Sequence, residues 1–412
     1  MRKIFPSTIS GAIKIIPSKS MSHRVLICAA LAKGVSKISN IAFSDDVCAT
    51  VNALRDMGLC EYKLIGGDCV ISGGLNKPEK ELIDCAESGS TLRFLLPLAL
   101  DKIKRTFFGH GRLMQRPLHA YEQIFEHADI IRTEEALTIC GELIAGNYEL
   151  RGDLSSQFIS GLLFALPLLK NESTITVTTE LESKAYVEMT RDAQKLFGVH
   201  SEWRKNCIHI DKNQRYIPCN TTIEADYSHA AFFAAGAAIS GEVVLKGLNI
   251  NSLQGDKEIL GILKCMGADV QWNNGEVHIK KNTLKAVDID VSQIPDLVPI
   301  LAVLACATDG KMRIYHAKRL RYKESDRLYA ITCELEKLGA DITEYEDSLV
   351  INGTGKLNGG VVDSHDDHRI AMALSIAACL ADGEITIQHS SVVSKSAPEF
   401  FNEFLSIGGK IQ

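Results

Sequence analysis

The chain has 412 residues, 46% of them hydrophobic and 23% charged, which is ordinary for a folded globular protein. This length allows about two to three domains. The formal net charge of -6 excludes a surface that attracts nucleic acid or an anionic membrane over its whole extent. We therefore expect no nucleic-acid or membrane partner, and any basic site must be local.

The amino-terminal stretch MRKIFPSTISGAIKIIPSKS lacks the uninterrupted apolar core of a secretory signal. No later stretch approaches the roughly 18 consecutive apolar residues that a membrane span requires. These features predict a cytoplasmic protein. The 12 cysteines include no CxxC pair and no cluster with histidine at zinc spacing, so we expect no metal site and mostly buried thiols.

Six copies of one unit, each close to 70 residues long, follow one another along the chain. Six segments look like the last turn of an amphipathic helix, and five of them close on the glycine expected there. They are LRDMG, IFEHA, QKLFG, LKCMG and EKLG, ending at Gly58, Ala128, Gly198, Gly267 and Gly339, and LSIGG, whose first glycine is Gly408. An alternating apolar run such as VSKISNI or KMRIYHA precedes each helix and indicates a strand. The pattern predicts an α/β architecture of six repeats.

A second helix begins earlier in each copy, with a polar start and an almost wholly apolar body. Bodies such as VLICAALA and AAFFAAGAAI are apolar nearly all round, which predicts burial of the whole helix. Unpaired N–H groups and the helix dipole make the amino-terminal ends candidate anion sites. The polar starts recur at Ser20, Ser90, Ser156, Ser228, Asp296 and Asp367.

Basic residues gather at the helix starts although the chain is acidic overall. Such a residue opposes the helix dipole, so it indicates either a solvated face or an anion that offsets the cost. Nine of them at equivalent places favour a site for small, multiply anionic molecules. They are Lys19, Arg24, Arg93 and Arg369 at first-helix starts, and Arg116, Lys184, Lys323, Arg327 and Lys395 at second-helix starts.

Two acids accompany this basic set, Asp296 in QIPDLVPILAV and Glu324 in RLRYKESDRL. An isolated acid at a helix start is typical of an N-cap, and the same holds for Ser325 and Asp326. In a cationic, partly dry site, however, one acid can serve as a base and another as a proton donor. RLRYKESDRL is therefore expected to contain both a helix cap and site residues.

Nine short motifs in order resemble those of the 5-enolpyruvylshikimate-3-phosphate synthase family. They are SKSMSHR, SGSTLR, LMQRP, SSQF, SKAY, IPD, KESDR, DDHR and SKSAPEF, which together span nearly the whole chain. The resemblance implies the enolpyruvate transferase fold, an α/β fold with two lobes. Each lobe would hold three βαβαββ units around buried helices, with the active site in the cleft between them. We expect residues 18–224 in one lobe and residues 1–17 with 225–412 in the other.

The resemblance also implies an activity. The family transfers the carboxyvinyl (enolpyruvyl) group of phosphoenolpyruvate to the 5-hydroxyl of shikimate 3-phosphate and releases phosphate, in the shikimate pathway to chorismate and aromatic amino acids. It implies no metal and no cofactor, these two substrates as the only partners, and a monomer.

Site residues carry over by motif. Shikimate 3-phosphate would be held by Lys19, Ser20, Arg24, Ser155, Ser156, Gln157, Ser183, Tyr186, Asp296 and Lys323. Phosphoenolpyruvate would be surrounded by Lys19, Gly89, Ser90, Arg116, Gln157, Arg327, Arg369 and Lys395. The family implies Asp296 as the base for the 5-hydroxyl and Glu324 as the proton donor to the methylene carbon. Lys19 could assist either transfer.

Three positions depart from the family pattern: Ser18 follows Pro17 without the usual intervening glycine, Ser90 stands where threonine is usual, and Arg319 stands where many members have asparagine.

Three other functions also remain open. The sister transferase acting on UDP-N-acetylglucosamine commonly has a cysteine in the loop that here reads KRTFFGHGRLMQRP, without one. A non-catalytic anion-binding module would more naturally lack Lys19, Asp296 or Glu324. A nucleic-acid binder of the related cyclase-like fold would need aromatic residues beside basic ones.

Overall fold

Helices and strands alternate along the chain in a computed structural model that describes residues 1–75, 77 and 80–412. The helices in these residues are α1 Lys19–Leu31, α2 Asp45–Asp56, α3 Gly89–Leu95, α4 His119–Ile124, α5 Ser156–Ala165, α6 Lys184–Leu196, α7 Tyr227–Ser240, α8 Glu258–Met266, α9 Val298–Cys306, α10 Arg327–Lys337, α11 His368–Ala377 and α12 Phe400–Ser406. The strands are β1 Arg2–Phe5, β2 Ser10–Lys14, β3 Gly34–Ser39, β4 Cys60–Ile65, β5 Asp68–Gly73, β6 Leu82–Asp84, β7 Arg105–Phe108, β8 Asp129–Arg132, β9 Ala136–Cys140, β10 Asn147–Leu150, β11 Ser173–Val177, β12 Glu202–Arg204, β13 Cys207–Ile210, β14 Thr221–Thr222, β15 Glu242–Lys246, β16 Asp269–Asn273, β17 Glu276–Lys280, β18 Ile289–Asp290, β19 Asp309–Tyr315, β20 Asp341–Tyr345, β21 Ser348–Thr354, β22 Gly360–Asp363, β23 Ile385–Gln388 and β24 Lys410–Ile411.

The strands form six four-stranded sheets of one construction. Their orders are β14-β3-β5-β4, β6-β7-β9-β8, β10-β11-β13-β12, β2-β15-β17-β16, β18-β19-β21-β20 and β22-β23-β1-β24. In each sheet the first strand runs parallel to the second, and the remaining pairs are antiparallel. A parallel pair needs a crossover. In four sheets a buried helix supplies it, namely α3, α5, α9 and α11, whereas β14 and β2 reach their parallel partners from distant parts of the chain. The predicted α/β repeats are confirmed.

Strands from distant parts of the chain complete three of the sheets. The first sheet receives β14, the fourth β2 and the sixth β1. The chain divides into two compact units, Pro17–Ile223, called unit I, and Met1–Ile16 with Glu224–Gln412, called unit II. Each unit has its own hydrophobic core. The chain therefore passes from one unit to the other after residue 16 and again after residue 223.

The first helix of each repeat is buried as its composition predicts. Every residue of α9 and of α11 is buried. At the starts of five of these helices, the side chain of the N-cap residue accepts a hydrogen bond from a backbone N–H group. These N-cap residues are Ser18, Ser88, Ser155, Asp226 and Asp367. Within the described residues, no helix has both the length and the apolar character needed to cross a bilayer.

Asp296 does not cap its helix. It lies in the short 3-10 helix Pro295–Leu297 that precedes α9, and its carboxylate binds basic side chains instead. The interpretation of Asp296 as a simple N-cap is therefore wrong, because the extra turn moves the carboxylate away from the α-helical N–H groups.

The glycines predicted to close helices have the left-handed backbone that a C-terminal cap requires. These are Gly58, Gly198, Gly267, Gly339 and Gly408, with φ between 73° and 102°. The predicted helix end at Ala128 is wrong, since α4 already stops at Ile124. Phe125 leaves the helical conformation at φ -99°, ψ 52°, and its ring stacks on Tyr121 with centroids 4.9 Å apart. Buried aromatic packing overrides the continuing helical pattern there.

The twelve cysteines, all within the described residues, are free thiols. Cys28, Cys60, Cys69, Cys85 and Cys306 are buried, and the others are partly or fully exposed. The expectation that most would be buried is wrong, because several stand on half-exposed faces of strands and helices. Among residues 1–75, 77 and 80–412, no group of three or more His, Cys, Asp or Glu side chains is arranged to hold a metal ion.

Candidate active site

Unit II contains a network of three basic and three acidic side chains centred on Arg327, the first residue of α10. Arg327 Nη1 donates to Asp296 Oδ1 at 2.9 Å, and Nη2 donates to Glu324 Oε2 at 2.8 Å. Arg327 Nε donates to Asp367 Oδ2 at 2.7 Å. The side chains of Arg327 and Asp367 are 2% and 0% exposed. Carboxylates therefore surround the guanidinium in a nearly dry site, where charge-assisted hydrogen bonds are strong.

Asp296 connects Arg327 to the other two cations. Its Oδ2 accepts from Arg369 Nη2 at 3.1 Å, and Lys323 Nζ lies 3.4 Å from its Oδ1. Burial opposes ionisation of Asp296, but Arg369, Lys323 and Arg327 outweigh it and hold its pKa well below the usual range. Burial also lowers the pKa of Lys323. Asp296 is therefore a carboxylate at neutral pH, neutralised by three cations.

The segment RLRYKESDRL combines a helix cap with site residues, as expected. Asp326 is the N-cap of α10 and accepts from the backbone of Tyr329 at 3.2 Å. Ser325 does not cap; its hydroxyl donates to Asp367 Oδ2 at 3.1 Å. The cap sets the helix start, so that Arg327 enters the network while Glu324 stands in the preceding loop.

Two arginines of the same segment have structural partners. Arg321 Nη1 lies 3.0 Å from Asp326 Oδ2 and 2.7 Å from Glu344 Oε1. Arg319 donates to the backbone carbonyl of Ser292. These contacts join the loop before α10 to neighbouring strands and loops of the fifth repeat.

Asp367 is a network member that the sequence identified only as a helix start. It caps α11 by accepting from the backbone N–H of Arg369 at 2.9 Å, and it also binds Arg327. Burial opposes its ionisation, but Arg327 lowers its pKa below the ordinary value. The signal in the sequence was its place directly before two basic residues in DDHR. Lys395 is buried at the end of the 3-10 helix Ser390–Lys395.

Unit I brings together five residues around the amino-terminal end of α3. Gln157 Oε1 accepts from Arg93 Nη1 at 2.7 Å, and Gln157 Nε2 donates to Ser90 Oγ at 3.0 Å. A Cβ added at Gly89 would lie 2.8 Å from Arg116 Nη1. The Arg116 guanidinium therefore lies against bare backbone, which only glycine permits at this distance. Arg93, not among the predicted binding residues, orients Gln157.

Arg132 on β8 is a further residue that the motifs missed. Its Nη2 donates to the backbone carbonyls of Met114 at 2.6 Å and Arg116 at 2.8 Å. These two bonds fix the turn that presents Arg116. Because backbone carbonyls carry no sequence signature, nothing in the sequence indicated this role.

Arg24 is a buried cation that connects α1 to α6. Its guanidinium donates to the carbonyls of Ser20 at 2.7 Å and Tyr186 at 2.9 Å, and to the Thr190 hydroxyl at 2.9 Å. Burial lowers the pKa of Arg24 to about 10. All three acceptors are neutral, so these bonds leave the positive charge to attract an anion.

The remaining predicted residues of unit I stand at helix starts. Lys19 begins α1, and its Nζ lies 2.8 Å from Asp46 Oδ2, an acidic partner that the sequence did not indicate. Ser155 caps α5 and Ser156 begins it. Ser183 directly precedes α6 in a left-handed conformation, with φ 53°. With the residues described above, six helix starts present hydroxyl, amide and basic groups. They are the starts of α1, α3, α5 and α6 in unit I and of α10 and α11 in unit II.

Comparison with known proteins decides the family. Residues 5–404 match the family model described as EPSP synthase (3-phosphoshikimate 1-carboxyvinyltransferase). The chain belongs to the EPSP synthase family. The predicted resemblance is thereby confirmed, since the match covers almost the whole chain.

Relatives within the EPSP synthase family align over nearly their full lengths. The 3-phosphoshikimate 1-carboxyvinyltransferase of Clostridium perfringens is 46% identical over 422 residues, covering 99% of each chain. The protein of that name from Clostridioides difficile is 46% identical over 428 residues, covering 99% of this chain and 98% of the relative. Both names refer to shikimate 3-phosphate rather than to UDP-N-acetylglucosamine.

Solved structures agree with the EPSP synthase fold. EPSP synthase from Acinetobacter baumannii superposes with a TM-score of 0.83 at 29% identity, covering 100% of both chains. The enolpyruvyl transferase NikO from Streptomyces tendae gives a TM-score of 0.82 at 15% identity, covering 100% of this chain and 98% of NikO. The second likeness shows the fold alone, and the predicted enolpyruvate transferase fold is confirmed.

Proposed function

We propose that the protein transfers the carboxyvinyl group of phosphoenolpyruvate to the 5-hydroxyl of shikimate 3-phosphate and releases phosphate. One observation carries the proposal: five predicted site residues make a single charged network in unit II, namely Asp296, Lys323, Glu324, Arg327 and Arg369. A network that places two acids among three cations suits a reaction in which anions bind and protons move.

Phosphoenolpyruvate is the substrate that we assign to the basic side of the network. The phosphate and carboxylate groups of phosphoenolpyruvate would compete with Asp296 and Glu324 for the guanidinium groups of Arg327 and Arg369. As these cations turn to the substrate, Asp296 loses part of its neutralisation, and its pKa rises. Substrate binding would thus convert a weakly basic carboxylate into a base for the 5-hydroxyl.

The proposed chemistry is an addition followed by an elimination. Asp296 takes the proton of the 5-hydroxyl as its oxygen bonds to the central carbon of phosphoenolpyruvate, while Glu324 gives a proton to the methylene carbon. Glu324, now a carboxylate, then takes a proton back from the same carbon, the bond between the central carbon and the phosphate oxygen breaks, and the double bond returns. The released phosphate accepts the proton that Asp296 holds. Lys19, which pairs with Asp46, would assist one of these proton transfers.

Unit I supplies most of the proposed binding groups for shikimate 3-phosphate, and Asp296 and Lys323 of unit II complete the set. Arg24 offers a buried cation, and Ser155, Ser156 and Tyr186 offer hydroxyl groups near helix starts. Gly89, Ser90, Arg116 and Gln157 complete the phosphoenolpyruvate set. We further propose that units I and II are the two lobes of the family and act on one pair of substrates. The protein would work as a cytoplasmic monomer without a nucleic-acid or membrane partner.

Phosphate release tests the activity directly. The protein is incubated with shikimate 3-phosphate, phosphoenolpyruvate and a metal chelator, and free phosphate is followed with time. Release is expected only when both substrates are present. Absence of release with both substrates, from protein that is folded by circular dichroism, contradicts the proposal.

Gly89→Ala is expected to raise the KM for phosphoenolpyruvate by about tenfold, because the new methyl group displaces the Arg116 guanidinium. The KM for shikimate 3-phosphate should change little. Gly146→Ala is the matched control in unit I, since no atom lies within 4 Å of a Cβ at Gly146. An unchanged KM in Gly89→Ala would show that Arg116 does not depend on the bare backbone.

A further inference from the structure

The loop formed by residues 363–367 leads directly into the charged network of unit II. His365 and Asp366 are consecutive left-handed residues, with φ of 52° and 54°. This conformation is costly for residues other than glycine and persists only where the surroundings impose it. The loop ends at Asp367, which binds Arg327. A shift of this loop would therefore move Asp367 away from the guanidinium.

Glu334 on α10 imposes the loop conformation. Its side chain is 1% exposed, and its Oε1 lies 2.7 Å from His365 Nε2. Its Oε2 accepts from the backbone N–H of Asp363 at 2.9 Å and lies 2.8 Å from Lys337 Nζ. One buried carboxylate thus binds the loop at both the backbone and a side chain.

Glu334 and Arg327 act from one helix. Glu334 follows Arg327 by two turns of α10, so both side chains lie on the same face. Arg327 holds the end of the 363–367 loop through Asp367, and Glu334 holds its beginning and middle. The helix α10 is thus attached to both ends of the loop.

We propose that Glu334 and His365 are a positioning pair that keeps Asp367 aligned with Arg327 and thereby sets the affinity for phosphoenolpyruvate. The inference deepens the proposed function and rests on it for the identity of the ligand. Neither residue touches the reacting atoms in this scheme.

The charges around the pair predict its pH dependence. Burial opposes ionisation of Glu334, but hydrogen bonds from His365, Lys337 and the loop backbone hold its pKa at about 2. The hydrogen bond to Glu334 raises the pKa of His365, against smaller opposing effects of burial and Lys337. The groups that face His365 and its loop are Glu334, Lys337 and Tyr329 of α10, Asp363 of the loop, and His389, whose Nδ1 lies 3.0 Å from Asp363 Oδ2.

The sign of the effect follows from His365. Its folded-state pKa lies above the ordinary value, so the protonated pair is complete at low pH and is lost as the pH rises through that pKa. Glu334 stays ionised over the same range. Loosening of the 363–367 loop is therefore expected on the alkaline side.

Hydrogen exchange tests the pair without any need for activity. Backbone exchange of residues 363–369 is measured at about pH 6 and about pH 8.5, corrected for intrinsic rates. Protection should fall by about tenfold at the higher pH in the wild type, the size expected for one charge-assisted hydrogen bond. His365→Gln should show the same low protection at both values. Equal protection of the wild type at both values overturns the inference.

His316→Gln is the matched control. His316, like His365, has a left-handed backbone conformation. Its Nδ1 lies 3.0 Å from Oδ2 of Asp290, but both residues belong to the fifth repeat, outside the 363–367 loop. This variant should behave like the wild type. If it changes protection of residues 363–369 as His365→Gln does, the effect is not specific to the pair, and the inference fails.

Kinetics connect the pair to phosphoenolpyruvate. Glu334→Gln and His365→Gln should raise the KM for phosphoenolpyruvate by about tenfold, with kcat and the KM for shikimate 3-phosphate within about twofold. In His365→Gln the rise of this KM with pH should disappear. A merely structural role would lower the melting temperature and leave the KM and its pH profile unchanged. If the wild type releases no phosphate, the proposed function fails while hydrogen exchange still decides the pair.

Discussion

Replacing Glu324 with glutamine is expected to lower kcat by about a hundredfold to ten-thousandfold, the range of general acid catalysis. The amide has the shape of the carboxyl group, and its oxygen can still accept the bond that Arg327 Nη2 now donates at 2.8 Å. It has no acidic proton to give to the methylene carbon. Affinity for shikimate 3-phosphate, measured by calorimetry, should therefore stay within about twofold while phosphate release almost stops.

Glu344→Gln is the comparison variant for this result. Glu344 also pairs with an arginine, its Oε1 lying 2.7 Å from Arg321 Nη1, but it is outside the network around Arg327. Its loss should leave kcat near the wild-type value. A Glu324→Gln protein with nearly normal kcat would remove Glu324 from the role of proton donor, whatever the behaviour of Glu344→Gln.

The sequence predicts the fold well because each repeat carries its own local signals. The polar starts at Ser20 and Ser90 lie two residues after the observed caps Ser18 and Ser88, and glycines such as Gly58 and Gly267 mark the helix ends. These signals act over one helical turn, so they can be read without knowing the neighbours. The exception at Ala128 arises where packing of Phe125 on Tyr121 ends α4 early.

The partners within the site were much harder to predict. Motifs identify Arg327 and Lys19, but not that Asp367 and Asp46 are their acidic partners. Such pairs connect different helices, and one sequence shows which residues share a helix face but not which helix lies opposite. The role of Arg132 could not be predicted for a second reason. It binds backbone carbonyls, which any residue would supply.

Arg327→Ala is expected to have the largest effect on stability, a loss of about 3–5 kcal/mol in the free energy of unfolding of unit II. It removes a guanidinium that binds three carboxylates, one of them the fully buried Asp367. Asp367 would then be a buried charge deprived of these bonds. Phosphoenolpyruvate binding should weaken too, because a charge-assisted contact is lost.

Tryptophan fluorescence can follow this change in unit II. The chain has two tryptophans, Trp203 in unit I and Trp272 in unit II. A Trp203→Phe background therefore leaves Trp272 to report urea unfolding of unit II alone. Arg327→Lys in the same background keeps the charge without the planar fork, and its midpoint should fall between those of wild type and Arg327→Ala.

The pH dependence separates electrostatics from packing. In the wild type Arg327 lowers the pKa of Asp367, so this stabilisation is present above the unfolded pKa and is lost as pH falls through the folded value. In Arg327→Ala the pKa of Asp367 rises, and protonation at acidic pH relieves the buried charge. The difference between wild type and Arg327→Ala in the free energy of unfolding should therefore become smaller from about pH 7 to about pH 4.5. A deficit independent of pH would indicate lost packing alone.

Adding Asp367→Asn to Arg327→Ala should recover part of the lost stability, because the asparagine is neutral and can still accept the backbone N–H of Arg369 at the start of α11. Asp367→Asn alone should destabilise, since it weakens the bonds that Arg327 now donates. The two effects should thus fall short of additivity, which is the signature of a direct pair. Additive losses would mean that Arg327 and Asp367 stabilise unit II independently, and the network could not then transmit the position of the 363–367 loop to the substrate.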